Sequence, residues 1–321
     1  MNGLRNYYEE DQMFTRIVVP LDKADPASAA LSTARALAAR TGAALALLHV
    51  INHRYPSTDL ADEQRQIARR WLREEAGALP HDAAAPAIIA IRDGTPAEEI
   101  RIYADEIEAD LICMATHARA GIGRIVLGSV AERVVQDAHL PVLLVRQEVA
   151  TPDIPLGAPV VVPLDGSPRS EAALPYAVAL AKRLGAPLTL VRVWDVITPT
   201  IVGPYAMPMD PQTFEEVEEA TEGAAIAYLT NVAARLASDI AARTVSLHGN
   251  AAEQLAVYLH KERPGFVVMG THGRGSVPRW VLGSVAMELV RATVGPVLLI
   301  GDACARATEQ ATALAEHAGA H

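Results

Sequence analysis

Hydrophobic positions along this chain fall into short, nearly unbroken apolar runs. Longer segments lie between them, with apolar residues recurring every three or four positions. The runs RIVVPL, ALALLHV, AIIAI, DLICMA and PVLLVR have the form of strands covered on both faces, as in a parallel sheet. The segments PASAALSTARALAARTG (closing at Gly42), DLADEQRQIARRWLREEAGAL, PAEEIRIYADEIEA and SVAERVVQDAHL carry the helical period. Strands alternating with helices predict an α/β unit whose parallel strands are joined by right-handed crossovers. In such a sheet a ligand binds beyond the carboxyl ends of the strands, where strand order reverses.

The same series is then written again. FTRIVVPLD at 14–22 returns as APVVVPLD at 158–165, and RALAARTGAALALLHV returns as VALAKRLGAPLTLVRV, at an offset of 143 residues. From DGTPAEEI at 93–100, matched by HGNAAEQL at 248–255, the offset is 155; residues 111–145 align without a gap to 266–300, with sixteen of thirty-five pairs identical. The difference is a longer loop in the second copy, VITPTIVGPYAMPMDPQ, whose Pro199, Pro204, Pro208 and Pro211 argue against regular structure there. QEVATPDIPLGAP is a proline-rich linker between the copies. This is a tandem duplication. A length of 321 residues accommodates two domains of ordinary size. Each copy ends in an apolar strand, PVLLV at 141–145 and PVLLI at 296–300, whose exposed edge would need covering. The two end strands are therefore expected to bring the copies together as a pseudo-twofold pair, with a homodimer of whole chains less strongly indicated.

Composition narrows the function. Hydrophobic residues at 50% and charged residues at 21% describe a folded protein, and 4% aromatics leave the cores to Ala, Val, Leu and Ile. No apolar run approaches the roughly 20 residues of a membrane helix. The start, MNGLRNYYEEDQ, lacks a signal-peptide pattern, so a cytoplasmic location and no membrane partner are expected. A net charge of −10 argues against general nucleic-acid binding, although a local site for a small anion is compatible with it. The two cysteines fit a reducing compartment, with Cys113 in the core run LICMA and Cys304 in a polar tail. No spacing suggests a metal site.

The stretch MGTHGRGSVPRWVLGS at 269–284 carries the candidate chemistry. Gly270 leaves a strand at its carboxyl end, and Gly283 and Ser284 open a helix, whose unpaired N–H groups and positive end favour phosphate. Arg274 and Arg279 add charge in the loop. A Gly-Ser pair before a helix is also an ordinary cap. His117 and His272 read as hydrogen-bonded loop residues, lacking a visible acid–base partner. Asp22 and Asp165, ending the first strands, serve either as caps or as ligand contacts. No Gly-Lys-Ser/Thr occurs, so this is not a Walker A loop.

The pattern Gly270-x2-Gly273-x9-Gly283-Ser284, preceded by Pro163-Leu164-Asp165 and followed by PVLLI, resembles the universal stress protein family. The resemblance covers about 15–147 and 158–301. It implies two tandem Rossmann-like domains, each an open five-stranded parallel sheet of order 3-2-1-4-5, spanning 1–150 and 158–303, with a tail at 304–321. It also implies an adenine nucleotide, ATP with or without Mg2+. In the second copy Pro163, Leu164, Asp165 and Val193 would surround adenine and ribose, with Met269 giving backbone contacts. Gly270, Gly273, Arg274, Gly283, Ser284 and Val285 would surround the phosphates. The first copy offers Pro20, Leu21, Asp22, Val50, Met114, Thr116, Arg119, Gly128, Ser129 and Val130, but departs from the pattern at Ala115 and Ala118. If either of those positions needs positive φ, alanine costs about 1 kcal/mol or more, and its Cβ would crowd the phosphates. The expected role is nucleotide-dependent regulation in a stress response. A ligand-free interaction module and a slow ATPase or nucleotidyl-transferring enzyme are the alternatives.

Overall fold

A computed structural model of the chain describes residues 13–23, 29–52, 58–77, 86–116, 127–146, 157–196, 210–236, 240–272, 282–293 and 295–306, with only the backbone of 58–61. The first half runs β1 (Arg16–Pro20), α1 (Ala29–Thr41), β2 (Ala44–Ile51), α2 (Thr58–Gly77), β3 (Ile88–Asp93), α3 (Pro96–Glu106), β4 (Leu111–Thr116), α4 (Ser129–Asp137) and β5 (Val142–Arg146). The second half runs β6 (Val160–Pro163), α5 (Pro168–Glu171), α6 (Leu174–Leu184), β7 (Leu188–Trp194), α7 (Pro211–Arg235), β8 (Ala242–His248), α8 (Ala251–Glu262), β9 (Phe266–Gly270), α9 (Ser284–Ala292) and β10 (Val297–Ile300). Every apolar run of the sequence is a strand. Helices α1 and α6 stop at Gly42 and Gly185, both left-handed at φ +73° and +60°, a conformation that costs glycine nothing.

Strand order is β3-β2-β1-β4-β5-β10-β9-β6-β7-β8, one ten-stranded sheet in which each half has the order 3-2-1-4-5. Within each half all pairings are parallel. At the seam β10 pairs antiparallel with β5, setting Leu298 opposite Leu143, Val297 opposite Leu144 and Leu299 opposite Val142. That register keeps the faces in step. Leu298 and Leu143 belong to the core under α1, α2, α6 and α7, while Val297, Leu144, Leu299 and Val142 belong to the core under α3, α4, α8 and α9. Both cores therefore cross the seam, held by apolar burial at about 1.5–3 kcal/mol for each fully buried aliphatic side chain.

Polar contacts lock the same seam. Arg146 Nη1, at the end of β5, donates to the Arg291 carbonyl of α9 at 3.3 Å, and Arg183 Nη1 donates to the Thr41 carbonyl at 2.9 Å. Past β10, a Cβ on Gly301 would stand 2.6 Å from the Val135 carbonyl of α4, so only glycine fits. At the opposite end of the first half, Asp110 ties down the start of β1. Its Oδ2 accepts from the Thr15 N–H and hydroxyl at 2.6 and 2.7 Å, and its Oδ1 from the Arg16 N–H at 3.1 Å. Burial nevertheless pushes this carboxyl above its usual range, the hydrogen bonds offsetting it only in part.

Two details differ from the sequence reading. Pro211 is the first residue of α7, where its missing N–H costs nothing, and Asp210 caps the helix by accepting from the Thr213 N–H at 3.0 Å. Cys304 is not in a polar tail. Residues 302–306 form a helical turn, and Cys304 is buried with its Sγ 3.2 Å from the Tyr176 hydroxyl. The linker at 147–156, the loop residues 197–209 and the tail from 307 lie outside the described residues. Among the described residues no helix is long and apolar enough to cross a membrane.

Candidate functional site

Each half has a cleft at the carboxyl ends of its strands, where the crossovers change from one face of the sheet to the other. In the second half this point lies between β6 and β9. Beyond Pro163 the chain stays alongside β7, the Leu164 N–H donating to the Val191 carbonyl at 2.8 Å. It then turns sharply at Gly166, with φ +82°. Asp165 builds that turn. Its Oδ1 accepts from the Ser167 N–H at 2.9 Å and the Ser167 hydroxyl at 2.6 Å. The Ser167 hydroxyl in turn accepts from the Ser170 N–H at 3.2 Å and caps α5.

Pro163, Leu164 and Asp165 form one wall of a cleft of about 400 Å³. Val191 and Val193 of β7 and Leu255 of α8 add apolar surface, and Met269 and Gly270 end β9 on its floor. This volume is within the roughly 300–1,000 Å³ of small-molecule sites. Gly270 does not have positive φ. Its glycine is required because a Cβ would stand 2.6 Å from the Arg169 carbonyl of α5. The condition of positive φ is therefore not met at this position, and the close approach of two backbones is what requires glycine.

The far wall is the start of α9. The Thr271 N–H donates to the Ile300 carbonyl at 3.0 Å, and the Gly283 N–H donates to the Thr271 carbonyl at 2.9 Å. The end of the glycine loop is thereby clasped onto the strand that began it. A Cβ on Gly283 would lie 2.9 Å from that Thr271 carbonyl. Gly283, at φ −54° and ψ 148°, is the N-cap and gives no side-chain cap, unlike Ser167, Asp210 and Asn250 at α5, α7 and α8. Ser284, Val285 and Ala286 line the cleft at this uncapped first turn, whose N–H groups have no carbonyl within the helix to meet. Such a turn accepts an anion.

Thr271 and His272 also line the cleft, and neither was singled out from sequence as a site residue. His272 Nδ1 is 3.1 Å from the Thr271 hydroxyl and 3.7 Å from Asp302 Oδ1. Its proximity to Gly270 in the chain was the available signal. The carboxylate beside it comes from thirty residues further on, through the pairing of β9 with β10. Gly273 and Arg274 lie outside the described residues. Among the described residues no group of three or more His, Cys, Asp or Glu side chains could hold a metal ion.

The first half repeats the geometry with a wider cleft of about 860 Å³. The Leu21 N–H donates to the Leu48 carbonyl at 2.8 Å, matching Leu164. Pro20, Leu21, Asp22 and Val50 line one side; Met114, Gly128, Ser129 and Val130 line the other. Gly128 is an N-cap at φ −63° and ψ 148° without a side-chain cap, as in α9. Here, however, a Cβ would meet open space. Ala115 lines the cleft at the position matching Gly270. Thr116 does not line it, because its side chain is buried and its hydroxyl donates to the Val145 carbonyl at 3.4 Å. Arg119 lies outside the described residues. His49, Asn52, Pro96, Ile100 and Glu132 also line it. His49 Nδ1 is 2.8 Å from the Leu21 carbonyl, and its ring meets Trp71 edge-on.

A model of the universal stress protein family matches this chain twice, at 13–146 and 158–301. A universal stress protein of Mycobacterium tuberculosis is 27% identical over 300 residues, spanning 88% of this chain and 96% of that protein. One from Methanocaldococcus jannaschii is 32% identical over 151 residues, 43% of this chain and 85% of its own length. In fold, the chain is similar to the crystal structure of a universal stress protein from Archaeoglobus fulgidus. The TM-score is 0.66 at 21% sequence identity, over 89% of this chain and 98% of that one.

Proposed function

This chain belongs to the universal stress protein family, and from that premise we propose that its second half binds an adenine nucleotide, ATP, as the signal of a stress-response regulator. The observation that carries the reading is the single cleft with two chemically different ends. Val191, Val193, Leu164 and Leu255 give an apolar slot for a base, and Asp165 stands at its rim as an acceptor for a ribose hydroxyl. Opposite them is the uncapped first turn of α9, with the Ser284 hydroxyl beside it, suited to phosphate oxygens. When bound, the nucleotide supplies negative charge to the first turn of α9. Mg2+ arriving with it would be held chiefly by the phosphates.

The first cleft is proposed as the weaker site. It keeps Gly128 and Ser129 but has Ala115 where the second cleft has Gly270, and has twice the volume for the same ligand. Regulation rather than rapid hydrolysis is the role proposed for the bound nucleotide. A cytoplasmic setting and pairing of whole chains belong to the same proposal.

Isothermal titration of the full chain with ATP and with adenosine tests this reading, with mass spectrometry of the gently purified protein for retained nucleotide. Ser284→Ala should weaken ATP more than adenosine, and Ser129→Ala should do less. Failure of the wild-type chain to bind either ligand would refute the reading.

A further inference from the structure

We propose that Asp302 is a specificity-determining residue of the second cleft, its carboxylate setting how strongly the cleft prefers a phosphorylated nucleoside over the bare one. The inference rests on the nucleotide-binding reading above. Asp302 is the first residue of the turn that follows β10. Its Oδ2 is 3.6 Å from Arg169 Nη2, and its Oδ1 is 3.7 Å from His272 Nδ1. Of these partners His272 lines the cleft, and Arg169 belongs to α5 behind the cleft floor. His272 lines the cleft with only 14% of its side chain exposed, and the Arg169 carbonyl packs on Gly270. A phosphate arriving at the first turn of α9 would meet His272 already beside a carboxylate, with Arg169 on that carboxylate's other oxygen. It would compete with Asp302 for His272 and be repelled by its charge.

The backbone carrying this carboxylate is fixed. Ile300 is in register with Gly270, and the Ile300 carbonyl accepts from the Thr271 N–H. Gly301 is wedged against the Val135 carbonyl, and the Ala305 N–H donates to the Gly301 carbonyl at 2.8 Å. Cys304 anchors the turn against Tyr176. The backbone of Asp302 therefore stays beside His272 when an anion enters. At the matching positions of the first half the chain has Pro26, His117 and Gln147. The histidine is repeated while the guanidinium and carboxylate are not, so the device belongs to one cleft.

Titration of the full chain with ATP and adenosine tests this, comparing wild type with Asp302→Asn, Arg169→Gln and the double variant. Asp302→Asn should raise the ratio of ATP to adenosine affinity about two- to fivefold, the range of one part-exposed charge pair. Arg169→Gln should lower that ratio, and the gain from Asp302→Asn should shrink in its background. An unchanged or lower ratio in Asp302→Asn, with adenosine still bound, would overturn the proposal alone. So would loss of both ligands in Asp302→Asn, which would make Asp302 a purely structural residue. A wild type that binds neither ligand would overturn the reading beneath it, and this with it.

Discussion

The Arg169 carbonyl oxygen stands 2.6 Å from where a Cβ on Gly270 would lie, so α5 and the end of β9 touch backbone to backbone. Gly270→Ala must push them apart at the floor of the cleft. We expect it to cost about 1–3 kcal/mol, the range for overpacking a close contact, read as a lowered urea midpoint with an unchanged slope. At the matching position of the first half the reverse change, Ala115→Gly, should cost about 0.5–1 kcal/mol, the ordinary penalty of glycine in a strand. Equal costs at the two sites would show that the close approach does not discriminate them.

Asp165 has a structural task as well as a proposed ligand. Because its Oδ1 accepts two hydrogen bonds from Ser167, Asp165→Ala should lose about 1–2 kcal/mol of stability and weaken ATP and adenosine together. Asp165→Asn retains an acceptor oxygen and should recover most of the stability. Thermal denaturation of the two variants, beside titration with both ligands, separates turn formation from ligand contact. If Asp165→Ala melts like the wild type, the turn does not depend on this carboxylate.

The seam is the place where one charge should do most harm. Leu298 is 1% exposed and faces Leu143 across the antiparallel pair. Leu298→Glu loses an apolar side chain and buries a carboxyl without a partner, a change of at least about 3 kcal/mol. Denaturation followed by tryptophan fluorescence should show both halves weakened, since Trp71 and Trp194 lie on opposite sides of the seam. A loss confined to the second half would show that the two halves unfold independently.

Both thiols should be silent in the native protein. Burial pushes the Cys304 thiol up to about 11, the hydrogen bond with Tyr176 acting the other way, and burial alone raises Cys113. The thiolate is the reactive form, so at pH 8 neither should label with a disulfide reagent until urea is added. Rapid native labelling of Cys304 would show that the turn at 302–306 leaves its place beside Tyr176.

Much of this was readable from the chain alone, because parallel strands buried on both faces leave apolar runs that survive duplication. RIVVPL and DLICMA became β1 and β4, and the end strands PVLLV and PVLLI lie side by side. Part of each cleft lining coincides with residues named through the family resemblance, Pro163 to Asp165 and Gly283 to Val285 among them. What stayed hidden depends on register between distant residues. The need for glycine at 270 comes from a carbonyl about a hundred residues earlier, and the partner of His272 becomes visible only once β10 lies beside β9. Cys304 read as tail because the turn that buries it has no apolar period of its own. Pro211 read as loop because a proline before a helix and one inside a loop look alike until Asp210 is seen to cap.

The antiparallel seam has a further consequence for a protein made of two similar halves. In an assembly of two identical chains, dilution separates the partners, and every substitution appears twice, once at each site. Here both halves share one polypeptide, so their pairing is insensitive to dilution. Each cleft is also free to change by itself. Alanine at 115 leaves Gly270 untouched, and a carboxylate at 302 stands beside His272 of one cleft while glutamine at 147 is its counterpart in the other half. A covalent pair can therefore divide two tasks between similar sites in a fixed one-to-one ratio, which an exchanging pair of identical chains cannot do.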